Sequence, residues 1–456
     1  MQPAEGTEAG LPRPQRTWAA GIVATAVAMA VMDGIMMTVA LPAIGRELGI
    51  SAAASIWVVG SYQLAIAMVL LPMGRLALVK GPRHIYLACI ALFGVASLAC
   101  ALSVDVVTLS LARFAQGCGG AGMMGITNAM LRSIHPPSGL ARGVSVNAMA
   151  VALALTAGPV IAAIILGFVS WHWLFIANLP VVAGLLLLGR RMLPADPPPV
   201  RGSRPAFDKG EALLCAGAIG ALILLLNSLA HDMDMAVVLT LAVMTAGLWT
   251  LVRRRRPSLL PLSLLRRRGY RLTVATTFCA AATQLISYIG IPFLLLDRGC
   301  TQAEIGLHFM AWPLALAAAS PLAVRLANRF APGRLCAVGL LLVAAGLTIL
   351  ALTPKDAGTL DILWRIALCG GSYALFQIPN TRALVASIPV AEAPTASVTG
   401  ALGRVMGQAS GAALVAMAFA GWPDQRAVIA LFLASGIALF AAFISGLRTP
   451  SSTSGT

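Results

Sequence analysis

Long apolar runs recur along this chain from its beginning to its end. Each is about 20 residues long, which is the length that an α-helix needs to cross the hydrocarbon layer of a membrane. Hydrophobic residues make up 59% of the 456 residues and charged residues only 11%, whereas about 25% of residues are charged in soluble domains. The sequence therefore predicts an all-α integral membrane protein with no sizeable soluble domain.

Fourteen spans are predicted from these runs, at 18–43, 54–74, 84–103, 106–131, 142–168, 173–190, 211–229, 235–252, 271–296, 303–327, 335–353, 360–386, 394–420 and 426–447. The resulting domains are a tail at 1–17, a six-helix half at 18–190, linkers with two inserted helices at 191–270, a second six-helix half at 271–447 and a tail at 448–456.

Lys and Arg are unevenly distributed between the two ends of these spans. Positive residues stay on the cytoplasmic side of short loops. With the N-terminus in the cytoplasm, 25 of the 32 basic residues lie on the cytoplasmic side and four lie outside. The other three lie within spans, namely Arg113, Arg365 and Arg404. Both termini are therefore predicted to be cytoplasmic, and the chain is expected in the inner membrane of a bacterium.

Several classes of function do not fit the composition. The net charge of +16 lies in short connectors rather than on a periodic face, which argues against nucleic-acid binding. The eight cysteines include no C-x-x-C pair and resemble buried small hydrophobes. The five histidines are dispersed, and no Gly-rich phosphate loop is present. We therefore expect no enzyme, no catalytic residue, no cofactor and no metal site.

The chain also repeats itself. The segment "LARFAQGCGGAGMMGITNAM" begins at Leu111, and the related segment "LWRIALCGGSYALFQIPNTR" begins at Leu363. Arg113 and Arg365 are separated by 252 residues, as are Asn128 and Asn380. This offset predicts two parallel halves, and duplicated halves that enclose a site near the membrane midplane are typical of transporters.

Four motifs occur in a characteristic order: "MDGIMMTVALPAI", "RFAQGCGGAG", "AGPVIAA" and "GRVMGQASGAAL". In this order the chain resembles the fourteen-helix drug:proton antiporter family of the major facilitator superfamily. The resemblance implies the major facilitator fold, with two six-helix halves and two inserted helices. The matching residues are Asp33, Arg113, Gln116, Gly158, Pro159 and Arg404, of which Gly158 and Pro159 form the antiporter motif.

A fifth motif departs from the family pattern. The loop "GRLALVKGPRH" matches the family's loop between helices 2 and 3 at Gly74, Arg75 and Gly81, but Leu78 stands where the family has Asp. The copy in the second half has Asn328 at this place. The resemblance assigns the Asp to a latch between the cytoplasmic ends of the halves. Either the latch is dispensable here or the gate has changed.

Asp33 is the only acidic residue predicted well inside a span. A charge at that depth costs about 2.5–3.5 kcal/mol, so an intramembrane acid is a candidate functional group. The helical rise places Arg113 at a similar depth on its own helix. We therefore predict that Asp33 binds and releases protons in contact with Arg113. The alternative is a static pair that only fixes helix packing.

Other side chains are candidates for a substrate cavity. Met29 and Met37 lie four residues either side of Asp33, and Gln116 shares a helix face with Arg113. The full set is Met29, Met37, Gln116, Gln284, Tyr288, Trp312, Gln377 and Arg404. For the methionines, packing in the core is the alternative. One acid against three intramembrane arginines favours neutral, zwitterionic or weakly anionic substrates.

The expected function is that of a proton-coupled secondary active exporter of small amphiphilic molecules or drugs, working by alternating access. Its partners would be the small-molecule substrate, protons and the lipid bilayer, and a monomer is assumed. An exporter dedicated to a single metabolite or antibiotic is the first alternative. A transport-incompetent membrane scaffold is the second, because the loop motif lacks its acid.

Overall fold

The computed structural model describes residues 10–196, 208–228, 235–255, 264–354, 356–386 and 393–448. In these ranges the chain forms fourteen helices of 15 residues or more. They are α1 (Arg13–Glu47), α2 (Trp57–Lys80), α3 (Pro82–Ala101), α4 (Val106–Ile134), α5 (Leu140–Phe168), α6 (Asn178–Met192), α7 (Lys209–Ser228), α8 (Met235–Arg255), α9 (Arg268–Leu296), α10 (Ala311–Ala327), α11 (Pro332–Ala351), α12 (Thr359–Ala386), α13 (Ala393–Gly421) and α14 (Arg426–Gly446). Short helices precede α2, α6 and α10, at Ala52–Ser55, His172–Ile176 and Gln302–Phe309.

Twelve helical segments among the described residues are long and apolar enough to cross a membrane. The helices outside this set are α4 and α12, although they have 29 and 28 residues. These two helices are the repeats of each other. Both carry an intramembrane arginine and several polar side chains, which lower their mean hydropathy.

The two halves share one packing pattern. In the first half α4 packs on α2 and α3, and α1 packs on α5. In the second half α12 packs on α10 and α11, and α9 packs on α13. Glycines permit the same close approach in both halves. A Cβ added to Gly117 would lie 2.6 Å from the Tyr62 carbonyl oxygen, and one added to Gly370 would lie 2.1 Å from that of Trp312.

We call the end of the bundle where α1 begins and α14 ends the terminal end, and the opposite end the distal end. The halves are packed together towards the distal end, where one hydrophobic cluster joins Ile35 and Leu41 to Phe293 and Phe309. The tightest contact of this seam is at Gly306, where an added Cβ would lie 2.2 Å from the Ala163 Cβ. The seam at Gly306 therefore has no room for a larger side chain.

The inserted helices α7 and α8 pack on each other, and α7 also packs on α2 and α13. A Cβ added to Gly220 of α7 would lie 2.8 Å from the Met68 sulfur of α2. Cys215 and Ile219 of α7 share a hydrophobic cluster with Leu402 of α13. The inserted pair therefore covers the seam between α2 and α13 on the outside of the bundle. The connectors at 197–207 and 256–263 lie outside the described residues.

Candidate functional site

A buried ion pair joins α1 to α4. The Arg113 guanidinium donates through Nη1 to Asp33 Oδ2. Asp33 is 2% exposed and Arg113 is 0% exposed. The structure thus brings together the two residues that helix depth predicted to meet. Their burial means that neither charge is screened by solvent, so each depends on the other.

Two amides complete the surroundings of the Asp33 carboxylate. Gln116 Nε2 and Asn178 Nδ2 both donate to Oδ1, at 3.0 Å and 2.8 Å. Gln116 Nε2 also donates to Ser97 Oγ at 2.9 Å. Three donors from α4 and α6 therefore converge on one carboxylate of α1, and bonds of this charge-assisted kind are about twice as strong as neutral ones.

Helix α2 holds the other side of the arginine. Arg113 Nε donates to the Val58 carbonyl oxygen at 3.2 Å, and the guanidinium lies 4.2 Å from the ring centroid of Tyr62. The Tyr62 hydroxyl donates to the Ala30 carbonyl oxygen at 3.0 Å. Arg113 Nη2 is buried without a partner among the described residues. One donor of the site is thus unused, which is uncommon for a buried polar atom.

This arrangement bonds one carboxylate of α1 to side chains of α4 and α6. Protonation of Asp33 would remove its charge and weaken the bonds from Arg113, Gln116 and Asn178 together. Asn178 was not among the sequence candidates. The available signal was an amide inside the apolar segment "WHWLFIANLP", but its partner lies 145 residues away in sequence.

The antiporter motif lies beside this site, at the seam between the halves. A Cβ added to Gly158 would lie 2.5 Å from Ile35 Cγ2, two residues beyond Asp33 on α1. Pro159 is inside α5, and its carbonyl oxygen would lie 2.7 Å from a Cβ added to Gly306. The motif therefore packs α5 against α1 on one side and against the second half on the other.

The aromatic candidates of the second half form a packed cluster. Gln284 Nε2 donates to the Tyr288 hydroxyl at 3.3 Å. The Tyr288 ring lies edge-on to Trp312 at 5.5 Å, and Trp312 is 6.2 Å from Tyr373. Trp312 is 0% exposed and Tyr288 is 7% exposed, so both are buried in this state. Gln377 is half-buried on α12.

The two methionine candidates lie in the core rather than on an open surface. Met29 is 3% exposed and Met37 is 0% exposed, and each belongs to a large hydrophobic cluster. They share a face with Asp33, but that face packs against neighbouring helices. The structure therefore favours packing, the alternative that the sequence left open.

The intramembrane arginines of the second half differ from each other. The Arg365 guanidinium binds both oxygens of Asp361, which lies near the start of the same helix, at 3.1 Å and 2.9 Å. Its Nη1 also donates to the Ile349 carbonyl oxygen at 2.7 Å. Arg404, in the middle of α13, is exposed and makes no hydrogen bond or ion pair with any described residue.

The loop motif ends α2 and begins α3. Gly74 and Arg75 are half-buried in the last turns of α2, and Leu78 is 55% exposed. Gly81 has φ +101°, a conformation that favours glycine. No carboxylate of the loop itself caps α3.

A carboxylate from elsewhere occupies that place. Asp196, at the end of the first half, accepts from the backbone N–H groups of Arg83 and His84 at 2.8 Å and 3.0 Å. An anion at the N-terminus of a helix is stabilised by the helix dipole. In the second half Asn328 Oδ1 instead accepts from Arg382 Nη1 at 2.7 Å.

Two duplicated halves of membrane-spanning helices, the first of which contains a buried ion pair, are typical of a multi-pass membrane transporter. Comparison with known proteins agrees: the model of the Major Facilitator Superfamily matches residues 23–412. The chain belongs to this superfamily, and its relatives support the drug:proton antiporter branch within it.

Two relatives and one solved structure are the most informative. The chain is 39% identical to "Uncharacterized transporter YebQ" of Escherichia coli K12, over 96% of this chain and 97% of that protein. It is 28% identical to "Multidrug resistance protein Stp" of Mycobacterium tuberculosis, over 89% and 77%. A crystal structure of a bacterial homolog of the human lysosomal transporter Spinster, inward-facing and unoccupied, aligns with a TM-score of 0.69 at 15% identity, over 96% and 98%. This last likeness concerns the fold.

Proposed function

We propose that this protein is a proton-coupled exporter of small amphiphilic molecules that works by alternating access. It would cross the bacterial inner membrane with all fourteen helices, with both termini in the cytoplasm, and act as a monomer. The observation that carries the proposal is the Asp33 carboxylate, buried at 2% exposure and bonded to side chains of two other helices. A static packing role would not require a titratable group there.

In this proposal the distal end faces the outside, so the closed distal seam corresponds to an inward-open state. A proton reaching Asp33 from the outside would neutralise the carboxylate and weaken its bonds to Arg113 and Asn178. Helix α1 would then be free to shift relative to α4 and α6, which biases the equilibrium between the two access states. Release of the proton to the cytoplasm would restore the pair.

The first alternative, an exporter of a single metabolite or antibiotic, uses the same coupling and differs only in substrate range. The name of the Mycobacterium tuberculosis relative, a multidrug resistance protein, favours the broader range. The second alternative, a scaffold without transport, is favoured by Leu78 in the loop motif. The bond network around Asp33 argues against it, because a scaffold has no need of a buried acid.

The test is dye efflux from cells stripped of their own exporters, with and without a protonophore. We expect protonophore-sensitive efflux from the wild type and its loss in Asp33→Asn, which keeps the size of the side chain but cannot titrate. Asp361→Asn is the matched control and should export normally, since its partner Arg365 is on its own helix. Full proton-driven efflux by Asp33→Asn would contradict the coupling role. No sensitive efflux by the wild type for any dye would favour the scaffold.

Topology has a separate test. Reporter fusions after Arg201 and Arg256 should report the cytoplasm, and a fusion at Asp232 should report the outside. All three positions lie outside the described residues. Opposite readouts at 201 and 256 would remove the inserted pair as two membrane crossings.

A further inference from the structure

Arg404 stands about ten residues into α13, in a helix segment apolar enough to cross a membrane. It is the one intramembrane arginine whose charge the described residues leave without a partner, because Arg113 pairs with Asp33 and Arg365 with Asp361. A guanidinium at this depth costs about 2.5–3.5 kcal/mol on insertion scales. Such residues mark a ligand path far more often than a lipid-facing surface.

The packing of α13 shows which way Arg404 points. Leu402 and Met406 belong to the hydrophobic cluster that α13 shares with the inserted helix α7 and the first half. Arg404 is two residues from each, and two residues turn a helix by about 200°. A Cβ added to Gly403 or Gly407 would contact Val274 or Phe278 of α9, and one added to Gly400 would lie 2.1 Å from Leu384 of α12. Arg404, which is exposed, therefore faces away from the inserted pair and towards the space that α9 and α12 border.

This space holds no free negative charge among the described residues. Among the described acids, Asp33 alone lies in the middle of a long helix, and its carboxylate is already bonded to Arg113, Gln116 and Asn178. Acids of the terminal end, such as Asp196 and Glu211, lie on the linker and the inserted pair. The charge of Arg404 is thus available to an anionic solute.

We propose that Arg404 binds the anionic group of the substrate, so that this protein exports amphiphiles bearing a carboxylate, sulfonate or phenolate. The identification of the cavity as a transport route rests on the proposed function. The binding chemistry does not, since a guanidinium fixes such groups by charge-assisted bonds. Gln408, one turn along α13 and half-buried, would lie beside the bound group.

The first experiment measures the charge of the cavity without requiring transport. Gln408→Cys is made in a background whose native cysteines are replaced, and its reaction rates with an anionic and a cationic methanethiosulfonate reagent are compared in detergent. The ratio of the anionic to the cationic rate should fall about tenfold in Arg404→Gln and much less in Arg404→Lys. An unchanged ratio, or a cysteine that reacts with neither reagent, would overturn the proposal.

The second experiment measures ligand preference. Three dansyl probes that differ only in their end group, a carboxylate, a neutral amide or a quaternary ammonium, are bound to the purified protein. The carboxylate probe should bind tightest to the wild type and lose about tenfold in affinity in Arg404→Gln, while the amide probe is unchanged. Equal or tighter binding of the ammonium probe would overturn the proposal. Asp33→Asn should keep the carboxylate preference even where coupling is lost, so failure of the proton-coupling proposal is seen separately.

Discussion

Arg113 and Arg365 occupy the same position of the two repeated halves, yet they make different bonds. Arg113 reaches an acid on another helix, 80 residues away in sequence, and both side chains are almost fully buried. Arg365 binds Asp361 on its own helix, one turn earlier, with side chains 13% and 34% exposed. Only the first pair joins an acid and an arginine that lie on two different helices.

The same asymmetry holds for the acid itself. The residues 250–252 positions after Asp33 are Thr283, Gln284 and Leu285, and none of them is acidic. The second half therefore has the arginine of the repeat without the acid that would make it responsive. The two halves therefore share their helix packing, whereas the groups proposed for coupling lie in the first half.

The largest difference between the two halves is expected in the stability lost when each arginine is removed in turn. Arg113→Ala leaves the Asp33 charge buried without its cation, which we expect to lower the free energy of unfolding by about 3–5 kcal/mol. Arg365→Ala breaks a partly exposed pair, worth about 1 kcal/mol or less. Thermal unfolding of both variants in one detergent measures the difference. Equal losses of stability in the two variants would contradict the difference proposed between the two ion pairs.

A glycine at the seam allows a second test. Gly306 belongs to the short helix before α10 in the second half. Gly306→Ala places a methyl group where an added Cβ is 2.2 Å from Ala163. Overpacking of this kind costs about 1–3 kcal/mol, and opening the distal seam would relieve it.

The measurement is the labelling of Gln408→Cys by an impermeant reagent from the terminal side, which should slow several-fold in Gly306→Ala. Gly167→Ala is the control, because a Cβ added there meets nothing within 4 Å. An unchanged labelling rate in Gly306→Ala would show that the distal seam accommodates the methyl group without a shift towards the outward-open state.

The smallest effect is expected at the loops. Asn328 accepts a bond from Arg382, while Leu78 stands at the matching place in the loop of the first half and cannot accept one. Leu78→Asp supplies the acceptor and should favour the outward-open state by about 0.5–1.5 kcal/mol, seen as slower labelling of Gln408→Cys from the terminal side. Asn328→Leu should act in the opposite direction. If Leu78→Asp leaves the labelling rate unchanged, the latch is dispensable and Leu78 has no effect on the gate.

The sequence predicted those features that depend on depth and periodicity. Asp33 and Arg113 were paired because helix rise fixes their depth, and the helix order followed from the apolar runs. Asn178 was missed because depth says nothing about which of several helices is adjacent. Met29 and Met37 were assigned to the cavity because they share a face with Asp33. That face is itself packed against α4, α5 and α6, so the shared face implied burial.

The position of α7 bears on how lipid-soluble compounds could enter. Because α7 packs along α2 and α13, a molecule dissolved in a membrane leaflet meets a closed helical wall on that side. Under the proposed function, hydrophobic cargo in the leaflet would therefore find no lateral entry between α2 and α13.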